Sequence, residues 1–134
     1  MKKITNLLYY IVMGVMLLWF AYNKGWIFAD FDSVSPQKAI TLLEADENVT
    51  LLDVRTPEEF RQGHLRDATL IPLDILASDL NKLAPYKETK ILVYCRSGNR
   101  SVAASRILKA HGYTPVNIKE GLIGLRKAGA SITP

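Results

Sequence analysis

Twenty consecutive residues, Ile4 to Asn23, carry no charge, and Leu7 to Tyr22 reads LLYYIVMGVMLLWFAY. As a helix that run measures about 30 Å, the thickness of a bilayer's hydrocarbon core. Trp19, Tyr22 and Trp26 gather at its far end, as aromatic residues do at a membrane interface. The 134 residues therefore divide into an expected membrane anchor over residues 1–28, with a transmembrane helix about 4–22, and one domain over residues 29–134. A cleaved signal peptide is the rival reading. The length of the apolar run argues against it, and so does the lack of a small-x-small pair close behind: Ala21 follows Trp19 by two residues, and Ala29 follows Ile27.

Charge follows the same division. Setting aside Lys2, Lys3 and Lys24 leaves fourteen of the seventeen Lys and Arg residues against thirteen Asp and Glu. The excess of +4 is thus mostly membrane-flanking charge. No basic stripe with interleaved aromatics follows, so nucleic-acid binding is not expected. Lys2, Lys3 and the terminal amine precede the span while Lys24 alone follows it closely, which places the N-terminus in the cytoplasm and the domain outside, in a bacterium the periplasm.

Downstream of a linker from Asn23 to Asp32, strand-like and helix-like segments alternate. Phe31 to Val34 is an expected first strand, and Ser35-Pro36 opens a helix to about Ala45 that buries Ala39, Ile40, Leu42 and Leu43. Val49 to Val54 is a short apolar run of the kind found in buried parallel strands. Thr56-Pro57 opens the next helix by the same logic, and Gly63 ends it. Thr69 to Ile71 is a brief strand stopped by Pro72, and Ile75 to Leu83 is amphipathic, with Ile75, Leu76, Leu80 and Leu83 on one face. Lys90 to Tyr94 is the most strand-like segment. Ser101 to His111 reads as a helix burying Val102, Ala103, Ile107 and Leu108; Thr114 to Ile118 reads as a final strand and Leu122 to Ala128 as a last helix. The alternation predicts an α/β fold: a parallel sheet of about five short strands with helices on both faces.

The chain's single cysteine, Cys95, stands where the apolar run Ile91 to Tyr94 gives way to Arg96-Ser97-Gly98-Asn99-Arg100-Ser101. A lone cysteine is often only a small buried hydrophobe. Here a strand leads through a short polar loop into a helix, which focuses backbone N–H groups and positive partial charge on one point. A sulfur at that point is favoured as the nucleophilic thiolate. Arg96 and Arg100 add full positive charge.

Three segments together resemble the rhodanese, or thiosulfate sulfurtransferase, domain in its single-domain form. Cys95 to Ser101 is similar to that family's active-site loop, Leu52 to Phe60 to its first marker, and Gly63-His64-Leu65 with Ala68 to Pro72 to its second. The resemblance covers about residues 34–130. Two places depart from it: Arg66-Asp67 stands where members usually have Pro-Gly, and Glu120-Gly121 with Leu125 where they have Gly-Gly followed by Trp. The resemblance implies a Cys95 thiolate that takes the outer sulfur of thiosulfate, expels sulfite and holds a persulfide in the N–H cradle of residues 96–101. With no second cysteine, the acceptor is external: cyanide, a thiol or a partner protein. Four residues separate Cys95 from Arg100, whereas protein tyrosine phosphatases and the cell-cycle phosphatases sharing the rhodanese fold use five, so phosphatase or arsenate-reductase chemistry is the minor alternative. A persulfide carrier that feeds a partner protein is the other.

Asp53 and Arg55, after a strand end, are expected to support the loop as a buried or half-buried ion pair. Glu58 and Glu59 sit in a first helical turn, where carboxylates meet the helix dipole favourably. His64 reads as a hydrogen-bonding turn residue and His111 as a cation at a helix C-terminus. Neither histidine has a cysteine or carboxylate at ligand spacing, so no metal is expected, and the mechanism requires no cofactor.

Overall fold

The structure is a computed structural model and describes residues 2–45 and 48–134. Helix α1 (Lys2–Asn23) buries none of its residues; Leu8 is 61% and Trp19 67% exposed. It is long and apolar enough to cross a membrane, a test that a signal sequence near an N-terminus also passes.

The rest is built as strands β1 (Asp32–Val34), β2 (Val49–Asp53), β3 (His64–Leu65), β4 (Thr69–Leu70), β5 (Lys90–Tyr94), β6 (Thr114–Ile118) and β7 (Ile132–Thr133). The helices are α2 (Pro36–Ala45), α3 (Pro57–Gln62), α4 (Leu73–Leu76), α5 (Asn99–Ala110) and α6 (Gly121–Lys127). Among the described residues, five strands form one sheet in the order β1-β6-β5-β2-β4, every pairing parallel. β5 lies at its centre, and its side chains alternate between two cores. Ile91, Val93 and the following Cys95 pack with Leu76 of α4 and with Ala104 and Leu108 of α5. Leu92 and Tyr94 pack with Ala39 of α2 and with Leu122 and Leu125 of α6. The expected α/β architecture with helices on both faces is the observed one, and the central strand delivers Cys95 to its C-terminal edge, where open parallel sheets bind ligands.

Local chemistry sets the helix starts. Ser35 Oγ accepts from the Lys38 N–H at 3.1 Å, ahead of Pro36. Thr56 forms a complete capping box with Glu59 before Pro57, and Gly63 closes α3 at φ +151°. Three expectations need correction. The segment from Ile75 to Leu83 is not one helix: Ser78 Oγ donates to the Ile75 carbonyl, α4 stops after one turn, and a 3₁₀ segment containing Pro85 follows over Leu80–Tyr86. Ile75 is consequently 40% exposed rather than buried. α5 begins at Asn99, two residues early, and its fully buried stripe holds Ala104 rather than Ala103. Thr114–Ile118 is not the last strand, because β3 and β7 form a separate antiparallel pair.

α1 and the domain meet through α5. Arg106 donates to the carbonyls of Tyr22 at 2.6 Å, Ile27 at 3.2 Å and Phe28 at 3.2 Å, and its guanidinium carbon lies 3.8 Å from the centre of the Tyr22 ring. Ile27 and Phe28 follow the end of α1, whereas Tyr22 lies in its last turn and already accepts from the Gly25 N–H at 3.1 Å, so one guanidinium gathers three carbonyls of the segment leaving the helix. Arg106→Ala is expected to free residues 24–30 and speed tryptic cleavage after Lys24 several-fold in the detergent-solubilised chain, read by mass spectrometry against time.

Candidate active site

Cys95 is 1% exposed, directly after the central strand. The Gly98 N–H donates to its sulfur at 3.1 Å. Ser101 Oγ lies 3.6 Å from Sγ, where the hydroxyl accepts from a thiol or turns its own proton toward a thiolate. Gly98, at φ +104°, turns the chain into the twelve-residue α5. The sulfur thus faces the first turn of a helix whose N–H groups lack helical acceptors, in a field that favours negative charge.

The loop's own carbonyls are drawn away from the sulfur by α6. Leu122 N–H donates to the Cys95 carbonyl at 2.8 Å, and Ile123 N–H to the Arg96 carbonyl at 3.1 Å. Gly121 makes this approach possible. Its φ is +55°, and a Cβ there would collide with the Cys95 carbonyl oxygen and the Arg96 backbone. Glu120 before it also adopts a left-handed conformation, at φ +63°, and so does Asp67, at φ +65°. These are the two positions where a glycine is usual in the resembling sequences: the backbone course persists without the residue that makes it unstrained.

The two charged pairs beside the loop differ in kind. Arg55 and Asp53 are buried together: Nη2 donates to Oδ2 at 2.6 Å and Nε to Oδ1 at 2.9 Å, and Nη2 also donates to the Gly63 carbonyl at 2.8 Å. Burial disfavours the Arg55 charge, but hydrogen bonds and attraction from Asp53 outweigh it and hold its pKa above the ordinary range. The expected ion pair is present and fully buried. Tyr94, beneath it, accepts from the Leu65 N–H at 3.1 Å, and burial pushes its phenol pKa up.

Arg100 does not offer a free charge to the loop. Its Nη1 and Nη2 donate to Glu59 Oε1 at 2.7 Å and Oε2 at 2.9 Å. That bidentate pairing lowers the Glu59 carboxyl from its ordinary 4.5 to about 2, against the opposing effect of burial. Glu59 is therefore more than a dipole-compensating carboxylate: it caps α3 and fixes Arg100 across the site. The contact joins residues 41 positions apart, which helix-local spacing cannot reveal. Arg96, Ser97 and Asn99 are exposed, whereas Gly98 and Ser101 are buried. His64 Nδ1 lies 2.8 Å from the Phe60 carbonyl and its ring stacks on Phe60, in keeping with a turn residue.

A cavity of about 240 Å³ opens beside Arg96, between Arg55, Glu59 and Gly63 on one side and Leu122, Ile123 and Arg126 on the other. Arg126 was not legible as a site residue: it sits in the last turn of α6, where a basic side chain ordinarily meets a helix C-terminus.

A parallel α/β sheet thus carries the cysteine at the C-terminal edge of its central strand, directly ahead of the N-terminus of α5. The rhodanese-like domain family matches residues 35–127, and the chain belongs to that family. It is 35% identical over 104 residues to a sulfurtransferase of Allochromatium vinosum, covering 77% of this chain and 91% of that protein. It is 38% identical over 71 residues to the thiosulfate sulfurtransferase PspE of Escherichia coli, covering 53% of this chain and 68% of that one. The crystal structure of a rhodanese-related protein from Thermoplasma volcanium superposes with a TM-score of 0.70 at 27% identity, covering 77% of this chain and 98% of the other.

Gly121→Ala is expected to cost at least about 2 kcal/mol and displace the Cys95 loop, while Glu120→Gly, relieving a left-handed non-glycine residue, is expected to stabilise by up to about 1 kcal/mol, both measured by urea unfolding. Because folding lowers the Glu59 carboxyl to about 2, the folded chain binds that proton less tightly than the unfolded one, and the gain is complete above pH 4.5 and lost as pH falls toward 2. With both partners partly solvated, Glu59→Gln should cost about 1 kcal/mol at pH 7, and the difference from wild type should shrink through that acid window.

Proposed function

We propose that the chain is a membrane-anchored sulfurtransferase that moves a sulfane sulfur from thiosulfate or a persulfide donor to a thiol or cyanide through a persulfide on Cys95. The observation that carries this reading is the Gly98 N–H held 3.1 Å from the sulfur at the start of α5. A donor placed to meet a thiolate stays beside the sulfur when the single negative charge passes to the outer atom of a persulfide. The Cys95 thiolate attacks the outer sulfur of thiosulfate; the S–S bond of thiosulfate breaks, and its electron pair leaves with sulfite. A monoanion and a dianion become a persulfide monoanion and sulfite dianion, so no proton or electron is needed from elsewhere.

Cys95 has the catalytic role in this reading, and the backbone of residues 96–101 binds the anion. Arg96 supplies free positive charge, Arg100 acts as a strut through Glu59, and Asp53 with Arg55 supports the loop. Since Cys95 is the chain's only cysteine, no internal thiol can take the sulfur as a disulfide, and the acceptor comes from outside. The charge distribution around α1 supports a cytoplasmic N-terminus and an extracytoplasmic domain.

Thiosulfate plus cyanide should yield sulfite and thiocyanate with the wild-type chain and none above background with Cys95→Ser; equal rates would remove the enzymatic reading. Mass spectrometry should find one added sulfur on Cys95 after thiosulfate alone. A stable adduct with negligible turnover on cyanide or small thiols would instead favour a carrier that delivers sulfur to a protein. A C-terminal fusion reporter active only outside the cytoplasm is the expected result for the orientation.

A further inference from the structure

Four arginines stand near the Cys95 loop, and their charges are not equally available. Arg55 is committed to Asp53 and the Gly63 carbonyl, and Arg100 to both oxygens of Glu59. The guanidinium groups of Arg96 and Arg126 have no hydrogen bond or ion pair among the described residues, and both side chains line the 240 Å³ cavity. Arg126 reaches from α6 toward the turn after α3: a Cβ on Gly63 would lie 3.2 Å from its Nη2. Leu122 and Ile123 line the same cavity and give it an apolar wall.

We propose that Arg126 and Arg96 form an outer anion subsite that binds the carboxylate of an organic thiol, placing that thiol to accept sulfur from Cys95. An inorganic anion would use the cations and leave the Leu122–Ile123 wall without a partner, whereas a carbon chain ending in a carboxylate uses both. A carboxylate matches a guanidinium geometrically and gains charge-assisted hydrogen bonds. The proposal rests on the sulfurtransferase reading for its acceptor step. In that step the acceptor thiolate attacks the terminal sulfur of the Cys95 persulfide. The persulfide, protonated from solvent on its terminal sulfur, loses the bond between its two sulfurs; the electron pair returns to Cys95 as thiolate, and that proton travels with the transferred sulfur. No oxidant or reductant is consumed. Arg126 is a positioning residue here, since it holds the far end of the acceptor.

The test compares anionic and neutral probes of similar size on the full chain in detergent. After loading with thiosulfate, 3-mercaptopropionate and 2-mercaptoethanol serve as acceptors. Separately, iodoacetate and iodoacetamide alkylate the unloaded Cys95. Arg126→Gln is expected to lower the anion-to-neutral rate ratio about tenfold for both probe pairs, and Arg126→Lys to retain most of it. Ratios unmoved by Arg126→Gln overturn the subsite. A fall confined to iodoacetate describes a charged mouth without an acceptor role and overturns the proposal as well. Failure of wild type to form any persulfide defeats the transferase reading and the acceptor role together, whereas persulfide formation with unmoved ratios defeats the subsite alone.

Discussion

Leu122 N–H donates to the Cys95 carbonyl at 2.8 Å and Ile123 N–H to the Arg96 carbonyl at 3.1 Å, and these two bonds govern the chemistry the loop presents. A peptide unit that turns its carbonyl one way turns its N–H the other. By holding the carbonyls on the α6 side, α6 leaves the sulfur facing donors rather than acceptors. The consequence extends to sequence choice. Only a residue without a Cβ fits at Gly121, and the left-handed course is already entered at Glu120. Leu122 and Leu125 then anchor α6 in the core under Tyr94, so the loop's polarity is secured by hydrophobic packing on the opposite face of the sheet.

The arginines show why charge near a site cannot be counted from residue types. Arg55 in the buried pair and Arg100 in the bidentate pair are each matched by a carboxylate that cancels most of their field at a distance. What they retain is geometric control: Arg55 joins the end of β2 to the turn after α3, and Arg100 joins α5 to α3. Breaking either pair from one side would leave an uncompensated charge, severely so for Asp53 and Arg55, which are 0% and 3% exposed. At the sulfur itself the backbone donor is the Gly98 N–H, which needs no counter-ion.

Much of this was legible in the sequence, because the decisive signals are local. The alternating segments gave the sheet and its two covered faces. Ser35-Pro36 and Thr56-Pro57 marked helix starts, and the apolar run ending at Cys95 placed the sulfur at the C-terminal edge of the central strand. The misreadings are tertiary. β3 and β7 are two residues each, too short for any periodicity, and they exist because distant backbone edges meet. The break between α4 and the 3₁₀ segment reflects Ser78 competing for a backbone carbonyl, which an apolar pattern does not register. Glu59 carries a local signature for capping and none for Arg100. Arg126 looks like an ordinary C-terminal helix cation until the fold brings α6 against the Cys95 loop.

Packing also ties the N-terminal side of the molecule to the site. α5 provides the N-terminal turn that meets the sulfur, and its opposite end of contact is Arg106, bound to the carbonyls of Tyr22, Ile27 and Phe28. Val102, one residue after Ser101, packs against the position of Gly25, where an added Cβ would lie 3.1 Å from its side chain. Two turns of one helix therefore link the segment leaving α1 to the floor of the cysteine loop. A flexible tether would let the domain adopt any orientation, but this contact gives the linker defined packing against the helix that carries the cradle. Through Arg106 and Val102 the segment leaving α1 is packed on the same helix whose first turn faces Cys95, so its position is set by contacts and not by the length of the linker.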